Sequence, residues 1–141
     1  MFGYMGKILE VDLSSQSIKD IPLNEKDLKP FVGGSGLACK IMLDRLGTAI
    51  GGIDPLSPEN LLIFMTGPLT GTRVPNSGRF EVCAKSPLTN IWGEANCGGR
   101  FGPYLKFAGY LWGSIQEKNI KKEGFVILKA PLSSSALSLL P

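Results

Sequence analysis

The chain has no histidine among its 141 residues. That removes Ser-His-Asp and Cys-His nucleophilic catalysis, and it removes the commonest zinc ligand. Cysteine is scarce as well: Cys39, Cys83 and Cys97 are an odd number and form no CxxC pair. They fit reduced, unpaired thiols rather than a disulfide framework or a zinc site. No apolar run is long enough to cross a bilayer. The opening Met1-Phe2-Gly3-Tyr4-Met5-Gly6-Lys7 lacks the charged head, apolar stretch and cleavage site of a signal peptide. A cytoplasmic protein without a membrane partner is expected. Charge of one sign is also lacking. Fifteen basic against twelve acidic side chains leave a net +3, and part of that excess sits at Lys118, Lys121 and Lys122. Nucleic acid is therefore not expected as a partner. Any chemistry must come from a cofactor or from another segment of chain.

What the chain does have is enough apolar material, 43%, for one domain with a real core. Gly6 to Leu13 alternates and reads as a strand, Ser14-Ser15-Gln16 as a turn, and 17–22 as the return strand of a hairpin. Asn24 caps a short helix at 24–28. The loop Gly33-Gly34-Ser35-Gly36 leads into an amphipathic helix at 37–46, stopped by Gly47. Leu61 to Met65 reads as a strand buried on both faces, and Arg79 to Lys85 as an alternating strand. Phe101 to Ala108 reads as a helix with Pro103 near its start, and 124–129 as a last strand. Order is expected to be poor after about residue 130, where the chain turns Ser/Leu-rich. Strands and helices do not alternate strictly, so the fold class is α+β.

The densest signal is Thr66-Gly67-Pro68-Leu69-Thr70-Gly71-Thr72, followed by Pro75-Asn76-Ser77-Gly78-Arg79 and, further on, Glu94-Ala95-Asn96-Cys97-Gly98-Gly99. Exposed backbone N–H groups, hydroxyls and a guanidinium of this kind suit a phosphate-bearing ligand. Each piece also has a plainer reading. Arg79 could fork onto a phosphate or a planar heterocycle, but alone it reads better as a surface arginine at a strand edge. Asn96 and Gly98 offer an amide and a side-chain-free approach, or else form a glycine turn before a helix. Gly33 to Gly36 fails the dinucleotide fingerprint, because position six is Cys39, so a tight turn into a helix is the better reading. Cys97 could be a metal thiolate but is lone. Cys39 and Cys83 read as packing residues. Glu94 reads as a solvated or hydrogen-bonded carboxylate, and Trp92, Phe101, Tyr104 and Phe107 as core.

Taken in order, these segments resemble the N-terminal domain of the aldehyde ferredoxin oxidoreductase family. The residues that carry the resemblance are Gly6-Lys7-Ile8-Leu9-Glu10-Val11-Asp12-Leu13-Ser14, Gly33 to Ala38, Asp54-Pro55-Leu56-Ser57-Pro58-Glu59-Asn60, Gly67 to Thr72, Ser77-Gly78-Arg79, Lys85-Ser86-Pro87-Leu88-Thr89, and Ala95 through Tyr110. The resemblance implies two stacked sheets forming a base for a tungstopterin, that is, a bis-molybdopterin carrying tungsten or molybdenum. It implies that Arg79, Asn96 and Gly98 contact that cofactor and that Asn96 helps hold a Mg2+ bridging the pterin phosphates. The metal would be held by pterin sulfurs, so no protein ligand to it and no catalytic residue is expected in this chain.

In full-length members the resemblance implies an oxidoreductase that converts an aldehyde to a carboxylic acid and passes electrons through a 4Fe-4S cluster to ferredoxin. A related activity, the catalytic subunit of an aromatic acyl-thioester reductase, is the alternative, and a non-enzymatic remnant or interaction domain is a third. Residues 1–110 are read as the family-like domain and 111–141 as a divergent, truncated or frameshifted tail. Alone, the chain should be inactive, with a homodimer among the assemblies that half a cradle allows.

Overall fold

The computed structural model describes residues 3–116. The first hairpin is β1 (Lys7–Asp12) and β2 (Ser17–Pro22), paired antiparallel with Ile8 opposite Ile21. Asp12 closes its turn by accepting from the Ser14 and Ser15 backbone N–H groups. Helix α1 (Glu25–Phe31) starts where expected, with the Asn24 side chain accepting from the Lys26 N–H at 3.0 Å. Pro30 lies within its last turn.

Helix α2 (Gly34–Leu46) begins three residues before the expected start and ends at Gly47, as expected. A short 3-10 turn (Gly47–Gly51) follows. Then come β3 (Leu62–Met65), β4 (Phe80–Lys85), β5 (Trp92–Cys97), α3 (Phe101–Phe107) and β6 (Trp112–Gln116). The mixture is α+β, as read from the sequence.

The strands form one six-stranded sheet in the order β2-β1-β6-β3-β4-β5. All pairings are antiparallel except β1 with β6. The resemblance implies two stacked sheets; the described residues of this chain supply a single continuous one. Strand β6 lies beyond residue 110 and yet fills the middle of that sheet, between β1 and β3. Leu111 fastens its start: its N–H donates to Lys7 O at 3.1 Å and its carbonyl accepts from the Thr66 N–H at 3.2 Å. The strand expected at 124–129 and the poor order expected after about residue 130 fall outside the described residues.

Residues opposite one another in antiparallel register share a face. Ile63 pairs with Cys83 and both are at most 1% exposed. They pack with Leu28 of α1 and Leu37, Ala38 and Met42 of α2 into one core that also takes in Ile8, Leu61, Met65 and Leu111. On the opposite face Phe101 of α3 packs against Phe64 and Phe80, with ring centroids 5.5 and 4.8 Å apart. Each fully buried Leu or Met contributes about 1.5–3 kcal/mol. The two helical layers therefore fix the sheet from both sides, and the loops at one end of β3, β4 and β5 are held against it. Among the described residues no helix is long and apolar enough to cross a membrane.

Candidate functional site

The segment between β3 and β4 is tied to itself. Thr70 N–H donates to Gly67 O at 3.2 Å, and Gly67 N–H donates to Thr70 Oγ1 at 3.1 Å. Thr70 Oγ1 in turn donates to Arg79 O at 3.1 Å. Thr72 Oγ1 donates to Leu69 O at 2.8 Å, and Ser77 Oγ donates to Thr72 O at 2.8 Å. The hydroxyls of Thr70, Thr72 and Ser77 are thus turned onto carbonyls of Arg79, Leu69 and Thr72, and that of Thr66 onto Leu111 O. They shape the loop, while the Arg79 guanidinium and the Asn96 side chain remain exposed.

Arg79 immediately precedes β4, Asn96 lies on β5 directly opposite Glu81, and Gly98 follows β5. Strand pairing brings the three together. A Cβ on Gly98 would stand 3.7 Å from Arg79 Nη1, an ordinary contact. Next to them Gly78 and Gly99 approach so closely that a Cβ on Gly78 would lie 2.9 Å from Gly99 O, which requires a residue without a side chain. Arg79, Asn96 and Gly98 are all exposed. Among the described residues the Arg79 side chain makes neither an ion pair nor a hydrogen bond. Asn96 Nδ2 donates to Glu81 Oε1, which orients the amide across the two strands.

Arg79 stands between two adjoining clefts. One, of about 290 Å³, is lined by Gly33, Gly34, Glu81, Asn96, Pro68 and Arg79 among others. Its neighbour, of about 330 Å³, lies between Val32, the Gly67–Thr70 turn and Val74–Ser77. The Gly33 loop thus belongs to the site, although the sequence reads better as a plain turn into a helix there. A Cβ on Gly33 would fall 2.9 Å from Thr66 O, and the Gly34 N–H donates to that same oxygen at 3.1 Å. This close backbone approach brings α2 against the cleft. The glycine run was visible in the sequence, but its partner, the Thr66 carbonyl, was not. Glu81 was also missed: only the register of β4 against β5 shows that it faces Asn96.

The remaining candidates separate cleanly. Cys83 is buried, and burial, helped by Glu81 and Glu94, pushes its thiol up to about 12. It is a packing residue, as read. Cys39 lies half-buried on α2 and Cys97 is exposed. Among the described residues no three His, Cys, Asp or Glu side chains gather as metal ligands. Glu94 is exposed and accepts from Trp92 Nε1 at 3.4 Å, a surface role. Phe101 and the half-buried Trp92 pack as expected, while Tyr104 and Phe107 meet edge to face at 6.4 Å.

Residues 8–129 match the family described as aldehyde ferredoxin oxidoreductase, N-terminal domain. The chain is 51% identical over 110 residues to the tungsten-containing aldehyde ferredoxin oxidoreductase of Pyrococcus horikoshii, covering 78% of this chain and 18% of that protein. It is 41% identical over 130 residues to the enzyme of the same name from Thermococcus kodakarensis, covering 92% of this chain and 21% of that protein. Among solved structures, the active site complex BamBC of benzoyl coenzyme A reductase, in complex with 1,5-dienoyl-CoA, superposes with a TM-score of 0.78 at 36% identity. That match covers 84% of this chain and 18% of the other.

Proposed function

Because this chain belongs to the aldehyde ferredoxin oxidoreductase family, as its N-terminal domain, we propose that it forms part of the base on which a tungsten–pterin cofactor rests. The relatives it matches are named as tungsten-containing enzymes, and it spans about a fifth of their length. The observation that carries the reading is the free guanidinium of Arg79 beside Gly98 and Asn96 at the junction of two clefts.

The residues fit such a group. Arg79 offers a fork of donors for a phosphate or a pterin edge. Asn96, oriented by Glu81, would offer its amide oxygen to a Mg2+ bound with the cofactor. Gly98 leaves the backbone open to close approach. When bound, the tungsten–pterin supplies the two-electron redox centre. The full-length protein would then convert an aldehyde and water to a carboxylic acid and two protons, passing two electrons through a 4Fe-4S cluster to ferredoxin. The cluster and any proton-transfer groups belong to chain beyond these residues. This chain's residues bind and orient.

The benzoyl coenzyme A reductase likeness favours a second reading, in which the same base serves reduction of an aromatic acyl thioester. The base is common to both readings, so the partner domain and substrate distinguish them.

Elemental mass spectrometry for tungsten and molybdenum, with pterin fluorescence after oxidation, tests the reading on chain purified from a tungstate-fed host. Stoichiometric metal and pterin in the wild type, with occupancy lowered about tenfold or more in Arg79→Ala, is the expected result; loss of one charge-assisted contact accounts for that size. A folded wild-type chain with neither metal nor pterin would overturn the reading for this chain and favour a remnant or interaction domain.

A further inference from the structure

Two lysines of this molecule are buried without a carboxylate partner. Lys85 is 4% exposed and Lys106 is 5% exposed. Each ammonium spends all three of its N–H bonds on backbone carbonyls. Lys85 Nζ donates to Ile50, Gly51 and Ile53 at 3.1, 2.9 and 2.9 Å, fastening the 3-10 turn. Lys106 Nζ donates to Gly3, Gly67 and Pro68 at 2.8, 3.1 and 2.8 Å. A buried cation is expensive unless its donors are satisfied. Burial draws the Lys106 pKa below its ordinary 10.5. The two tripods are chemically alike, but only Lys106 holds carbonyls of cleft-lining residues, those of Gly67 and Pro68, around Arg79.

The consequence lies in the peptide geometry. The described residues contain no cis peptide, so each C=O points opposite to the N–H of the following residue. With the Pro68 carbonyl drawn inward to Lys106, the Leu69 N–H is turned away from it. Leu69 is 58% exposed and lines the cleft beside Arg79. Among the described residues its N–H has no hydrogen-bond acceptor.

We propose that Lys106 is a positioning residue of this cleft, which holds the Gly67–Leu69 peptides so that the Leu69 N–H is presented, beside Arg79, to an anionic group. The proposal rests on the cofactor-base reading and adds to it a backbone donor, together with the buried cation that aims it. Lys106 touches no ligand itself. It sets the direction of a peptide dipole, as preorganised donors require.

The test is titration of the full 141-residue chain with inorganic pyrophosphate, followed by the backbone amide signal of Leu69 and the Nε–H signal of Arg79 in NMR. Wild type, Lys85→Met, Lys106→Met, Lys106→Gln and Lys106→Arg are compared. Lys85→Met removes the twin tripod remote from the cleft, so it reports plain loss of stability. The expected result is that both signals shift in the wild type and Lys85→Met with the same midpoint. In Lys106→Met the Leu69 midpoint rises about tenfold or more, and Lys106→Arg recovers part of the loss. Should Lys106→Met not fold, Lys106→Gln carries the comparison. A Leu69 response in the folded Lys106 variants equal to that of the wild type overturns the proposal. So does a wild type in which Arg79 responds and Leu69 does not, and that outcome leaves the cleft reading standing. If neither signal moves, the proposal and the anion-binding part of the cleft reading fall together.

Discussion

At the scale of single residues, the two cysteines near the site should behave as opposites. The Cys83 thiol is buried in the core and raised to about 12, so almost no thiolate exists near neutral pH. Cys97 lies one residue from Gly98 and is exposed. Iodoacetamide at pH 8, read by peptide mass spectrometry on the native chain, should therefore label Cys97 and leave Cys83 unmodified until denaturant is added. Rapid native labelling of Cys83 would contradict the packing described here. Part of this was legible in the sequence, because Cys83 sits at an inward position of an alternating strand. The place of Arg79 was legible only through the family resemblance, since a lone arginine after Ser-Gly reads better as surface. The roles of Lys85 and Lys106 were not legible. Carbonyl acceptors belong to every residue type, so no sequence pattern marks a lysine that binds them.

The elements divide according to how local their causes are. Hairpin β1–β2, the Asn24 cap and the Gly47 stop follow from turn and capping chemistry within a few residues, and all three stand where the sequence put them. Strand β5 was missed because Trp-Gly-Glu-Ala-Asn-Cys has weak strand propensity and its last four residues are exposed. It is a strand because β4 offers a full six-residue register. Strand β6 was missed for a similar reason: its neighbours β1 and β3 come from distant sequence. Helix α2 binds these layers through Leu37, which is wholly buried. Leu37→Ala should cost about 2–5 kcal/mol, seen as a lower urea midpoint with an unchanged slope. A loss under about 0.5 kcal/mol, the range of ordinary surface substitutions, would mean that α2 does not carry the core.

On the scale of the whole molecule, the sheet's order places its first hairpin at one edge and the candidate site at the other, with β6 and β3 between. At the hairpin edge three side chains tie distant parts of the chain together. Lys7 Nζ donates to Asp20 at 2.7 Å, the Tyr110 hydroxyl donates to Asp20 at 2.9 Å, and the Lys7 ammonium lies 4.5 Å from the Tyr110 ring centroid. The Lys7 hydrogen bond, then that of Tyr110, holds the Asp20 carboxyl below its ordinary 3.8. Asp20 in turn raises Lys7 above 10.5 and Tyr110 above 10.0. The signs follow from linkage. The lowered carboxyl contributes stability that is present above pH 3.8 and is lost as pH falls through its folded value. The raised ammonium and phenol contribute stability that is present below about their ordinary values and is lost as pH rises through their folded ones. Asp12, lowered by its hydrogen bonds to Ser15, adds to the acid side. Thermal melts from pH 2 to 12 should therefore give a plateau that falls below pH 3.8 and again above pH 10. Asp20→Asn should shrink both falls at once, because one carboxylate anchors both partners. If the substitution flattens only the acid limb, Lys7 and Tyr110 are held by something other than Asp20, and the hairpin edge is not joined to the start of β6 in this way.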